Sequence, residues 1–65
     1  MIKFDLPAKL DGAKLIEELN AVGVVVVPNV IYGVACPTIW EGNLYLDISS
    51  QDTEKASVVV AAHNG

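Results

Sequence analysis

Val24-Val25-Val26-Val27, preceded by Gly23 and closed by Pro28, is the stretch on which the fold turns. Four β-branched residues in succession lose side-chain freedom in a helix and pack well on a pleated surface, so the run predicts a strand with apolar neighbours on both faces. The rest of the chain then reads as cover for it.

Immediately upstream, Asp11 has the side chain of a helix N-cap, and the helix dipole favours its negative charge there. Leu10 before it and Leu15 after it are spaced for a hydrophobic staple. Leu15, Ile16, Leu19 and Val22 continue an apolar stripe, Lys14, Glu17, Glu18 and Asn20 fall on the water side, and Gly23 ends the helix. Before this helix, Ile2-Lys3-Phe4-Asp5-Leu6 alternates apolar and polar residues up to Pro7, the pattern of a half-buried strand whose charges suit a sheet edge. Strand, helix, strand in this order predicts a crossover with the two strands parallel, though not necessarily adjacent.

Downstream, Pro28-Asn29 and Cys36-Pro37 are turn signals around Val30-Ile31-Tyr32-Gly33-Val34-Ala35. Pro37 biases the residue before it away from helix, so this segment reads as a short strand or a packed loop in extended conformation. Thr38-Ile39-Trp40 and Leu44-Tyr45-Leu46-Asp47-Ile48 flank Glu41-Gly42-Asn43, a connection suited to a hairpin. Leu44, Leu46 and Ile48 face one way, Tyr45 and Asp47 the other. Ser49 or Ser50 caps a second helix whose Ala56, Val59, Val60 and His63 share a face, with Asn64-Gly65 as its stop.

These elements predict one α+β domain over residues 1–65, a small β-α-β-(β)β-α sheet backed by two helices. It resembles a ferredoxin-like unit lacking its last strand. On that reading the first strand has no outer neighbour and presents an open edge to another chain.

A chain of 65 residues buries only about 60% of its unfolded surface. Its hydrophobic fraction is 52% and its mean hydropathy +0.44, so polarity-driven disorder is not expected and some apolar surface must stay outside. Net charge is −4, and Lys3, Lys9, Lys14 and Lys55 are the only cations, which leaves no basic stripe for phosphates. No apolar run approaches the roughly 20 residues that span a bilayer, and no basic start leads into an apolar core. The expectation is a soluble, intracellular protein that binds neither nucleic acid nor membrane. Cys36 is the single cysteine, so no internal disulfide is available.

Catalytic, cofactor and metal sites find no pattern. Cys36 and His63 would need contact and an orienting third group to act as a nucleophile pair, and two soft ligands are too few for zinc. Asp47, Asp52 and Glu54 lack the alternating spacing of a calcium loop and read as favourable charge at a helix start. The scattered glycines form no phosphate-binding motif. The remaining signal is interfacial: Ile2, Phe4 and Leu6 on the edge strand, with Tyr32, Trp40 and Tyr45 as amphipathic aromatics of the kind enriched in interface hot spots.

The opening Ile2-Lys3-Phe4-Asp5-Leu6-Pro7 with residues 15–23, and the closing Asp52, Glu54-Lys55-Ala56 and Val59-Val60-Ala61-Ala62-His63-Asn64-Gly65, are similar to small open reading frames of tailed bacteriophages. The resemblance covers about half the chain and implies a virion or phage-accessory role, located in the particle or the host cytoplasm, with no catalytic residue. The expected function is therefore a non-enzymatic structural protein that assembles with copies of itself or with a larger virion protein. An inhibitor bound to a host protein is the alternative for a small acidic chain. A small enzyme using Cys36 and His63 is a third.

Overall fold

The computed structural model describes residues 1–28, 30–31 and 33–65. The alternation at the N-terminus becomes strand β1 (Ile2–Asp5), with Phe4 buried, Ile2 half-buried and Lys3 and Asp5 in water. A hairpin supplies the other two strands, β2 (Thr38–Trp40) and β3 (Asn43–Leu46). Its loop is tighter than the three residues read from the sequence. Trp40 pairs with Asn43, so only Glu41 and Gly42 turn the chain, at φ 49° and 76°. Two successive positive φ values are what a type I′ turn requires, and Gly42 meets the second at no steric cost.

The sheet has the order β1-β3-β2, and both junctions are antiparallel. Because β1 and β2 each run opposite to β3, they point the same way with β3 between them. The expected parallel arrangement of β1 with the valine run is not formed, because that run is not a strand; the strand parallel to β1 is β2.

Helix α1 (Gly12–Ala21) starts where Asp11, itself extended, accepts the Lys14 N–H on Oδ1 at 3.2 Å. It ends at a left-handed glycine: Gly23, at φ 84°, donates to the Asn20 carbonyl, and the Val24 N–H reaches back to the Leu19 carbonyl at 3.0 Å. Ser49 Oγ accepts from the Gln51 N–H to open a single 3₁₀ turn, Ser50–Asp52, which leads directly into α2 (Thr53–Ala62). Leu15 and Leu19 of α1, Ala56 and Val60 of α2, and Phe4, Leu44, Leu46 and Ile48 below them form one core. The chain is thus an α+β fold with both helices on one face of an antiparallel sheet.

The valine run departs from expectation. Residues 24–27 belong to no strand, and burial alternates: Val24 and Val26 enter the core, whereas Val25 and Val27 face water. The run is held at its start by the helix cap and near its end by the Val27 N–H, which donates to the Asp47 carbonyl at 2.8 Å. Pro28 has no N–H to offer, so a ladder cannot continue through it. Residues 30–37, read as extended, form no strand where described; Val30 and Ile31 lie in a turn, and Val30 is 98% exposed. Tyr32 lies outside the described residues.

Leu44 is fully buried between β1 and β2, so Leu44→Ala is expected to cost about 3 kcal/mol through lost contacts and a residual cavity, read as a lower urea midpoint. Gly42→Ala leaves the core intact but must hold a left-handed backbone, and should cost about 1 kcal/mol.

Candidate interaction surface

Two margins close the sheet, and they differ in chemistry. On the helix-covered face, register places Phe4, Leu44 and Ile39 in one row across β1, β3 and β2. Phe4 and Leu44 are buried in that row, but Ile39 is 56% exposed. The helices shield the inner face of β1 and β3 and leave that of β2 largely open. On the opposite face Asp5, Asn43 and Trp40 form one row and Lys3, Tyr45 and Thr38 another. Trp40 is 63% exposed, and with Met1, Thr38 and Tyr45 it lines an apolar groove of about 300 Å³.

Local geometry fixes the direction of the β2 backbone groups. In a two-residue hairpin the residues flanking the turn exchange hydrogen bonds, so Trp40 and Asn43 form a bonded pair, as do Thr38 and Tyr45. Ile39 and Leu44 form the non-bonded pair between them. The Ile39 N–H and C=O therefore point away from the sheet. Pro37 starts this strand against α1, where a Cβ added to Gly12 would come within 3.3 Å of its ring.

The β1 margin is less suited to contact than the sequence predicts. Phe4 is only 8% exposed and belongs to the core, and Ile2 packs against that core. Leu6 lies beyond the strand, moderately exposed. Helix α2 approaches this margin: Ser57, Val60 and His63 join Phe4 and Pro7 around a cleft of about 400 Å³. The outward residues are Lys3 and Asp5, which discourage pairing. Of the six residues expected at an interface, Trp40 and Tyr45 meet in one groove, Ile2, Phe4 and Leu6 lie at the opposite margin, and Tyr32 lies outside the described residues. Ile39, which the sequence reading passed over, is the most informative addition. Its alternation with Trp40 was visible, but the failure of the helices to reach it was not.

His63 has a structural explanation that spacing did not reveal. Its side chain is fully buried, and Nε2 accepts the Asp11 N–H at 3.1 Å. The proton must then sit on Nδ1, which donates to Glu18 Oε1 at 2.6 Å. Both ring nitrogens are engaged, so neither is free to take a proton from a substrate. Glu18, which the sequence pattern assigns to the water side of α1, is partly buried at the flank of the Leu15/Leu19 stripe. Cys36 is half-buried with a free thiol. Among the described residues no group of three His, Cys, Asp or Glu could hold a metal ion, and no helix is long and apolar enough to cross a membrane.

Removing the imidazole leaves the partly buried Asp11 N–H without its acceptor, so His63→Ala should cost about 1–3 kcal/mol. Glu18 keeps 37% of its side chain in solvent, and Glu18→Ala should cost under about 1 kcal/mol. Urea unfolding of the two variants checks this order.

Comparison with protein-family models, with curated proteins and with solved structures finds no match for this chain, so the likenesses to a ferredoxin-like unit and to small phage proteins rest on the sequence alone.

Proposed function

We propose that this chain is a non-enzymatic interaction protein that binds another protein chain through its β2 margin, most simply as a virion component of the kind its phage resemblance implies. The observation that carries this reading is the exposure of Ile39 in the same row as buried Leu44 and Phe4, beside an exposed Trp40. A partner that covered Ile39 would extend the core by one strand. Taking on the order of 100 Å² of tryptophan surface out of water is worth about 2.5 kcal/mol. Such a partner would also stabilise a small domain by mass action.

The one histidine spends both nitrogens on the protein's own groups, and the one cysteine has no histidine free to activate it. Tyr45 and Trp40 supply broad amphipathic contact area with few torsions to freeze, which suits recognition of a protein surface.

Trp40 is the only tryptophan, so its fluorescence reports on this margin directly. Association with a copy, with virion proteins or with a host protein is expected to shift its emission to the blue, and Ile39→Lys should abolish the shift without lowering the unfolding midpoint. Association that proceeds unchanged in both Trp40→Ala and Ile39→Lys, or no association with any chain, would overturn the proposal.

A further inference from the structure

Resting on that reading, the geometry points to a second copy of this chain as the occupant of the β2 margin, joined by antiparallel pairing of β2 with β2 about a two-fold axis at Ile39 to give a continuous six-stranded sheet. Three observations converge on this occupant. The first is hydrogen bonding. Only positions 37, 39 and 41 direct backbone groups outward from β2, Pro37 has no N–H, and Glu41 is already in the turn. Ile39 is the single residue on this edge with an outward donor and acceptor within the strand. A two-fold centred there lets each Ile39 N–H donate to the other copy's Ile39 carbonyl, which is the bonded pair of an antiparallel ladder. A longer or shifted strand from an unrelated partner would meet the proline on one side and the turn on the other.

The second observation is charge. The chain carries a net charge of −4, so two copies repel unless they meet where acids are absent. Thr38, Ile39 and Trp40 carry no charge, and the groove beside them holds no acid. In the two-fold register Glu41 lies opposite Pro37 of the second copy, so no carboxylates face one another. A basic partner, by contrast, would be drawn to the acidic surface elsewhere and not to this neutral strip.

The third is shape. With Ile39 opposite itself, Thr38 lies opposite the second copy's Trp40, and both side chains fall on the sheet face that carries the groove. Thr38 is one wall of that groove, so each copy's indole lies against the other copy's groove. The same operation places the two exposed Ile39 side chains side by side on the helix-bearing face, where each covers the other. The paired strip is only three residues long, so the dimer is expected to be weak, of micromolar affinity.

Sedimentation equilibrium of the full chain should show twice the monomer mass at roughly a hundred micromolar, and Ile39→Lys should remain monomeric with an unchanged circular dichroism spectrum. Register is read separately. In a Cys36→Ser background, Ile39→Cys should form an interchain disulfide under mild oxidation, because bonded antiparallel pairs lie about 5.5 Å apart. Thr38→Cys should not, since the two Thr38 positions then lie about 8 Å apart. A monomer at every concentration, a dimer that survives Ile39→Lys, or cross-linking at Thr38 in place of Ile39 would overturn the self-pairing. A monomer whose Trp40 emission still shifts on binding another protein, with loss of the shift in Ile39→Lys, overturns self-pairing alone and leaves the β2 margin as a docking surface.

Discussion

Everything in this fold passes through β3. It is hydrogen-bonded to both other strands, and its Leu44 and Leu46 are fully buried beneath both helices. Hydrophobic burial supplies most of the folding energy of a domain this small, and that burial is concentrated in a few side chains. The Glu41-Gly42 turn sets the register of β2 on β3, and the β1 pairing sets which residues share the inner face. A slip of one residue in either ladder would send Leu44 and Leu46 to the outer face, so turn and core specify each other.

The layer that covers β3 is too narrow for the sheet beneath it. Two ten-residue helices close over β1 and β3 and stop short of β2. Other apolar residues, Val25, Val27, Val30, Val34 and Val58 among them, are also exposed. What sets β2 apart is coherence: an exposed isoleucine in register with the core, an exposed tryptophan beside a groove, and unpaired backbone groups between them. Charge is distributed to match, with Lys3 and Asp5 in β1, where α2 approaches, and no charged side chain in β2.

Most of the local structure was legible because its causes are local. The alternation around Phe4, the Asp11 cap, the Gly23 stop, the hairpin and the Ser49-capped 3₁₀ turn that leads into α2, whose own N-cap is Asp52 and not a serine, each arise from residues within a few positions of one another. The valine run misled because β-branched residues favour any half-buried extended surface, whether or not a partner strand is available. Gly23 and Pro28 bracket it so closely that it passes from helix cap to turn with a single backbone bond to the residue following β3. At the candidate surface, the outward turn of Tyr45 could be read from alternation with Leu44 and Leu46. The exposure of Ile39 could not, since it depends on how far two helices extend across a sheet. The Glu18–His63 contact joins residues 45 positions apart, and no short-range pattern announces it.

The bond from the Asp11 N–H to His63 has a consequence for how the protein is made. The first turn of α1 emerges from the ribosome early, yet the acceptor that satisfies its cap lies 52 residues later. β1 must likewise wait for β3, with which Ile2 pairs at Leu46. Translation at about 5–20 residues per second therefore leaves the nascent N-terminal half without its native contacts for several seconds. Val24 and Val26 are synthesised in that interval, before the Leu44, Leu46, Ala56 and Val60 side chains that share their core exist.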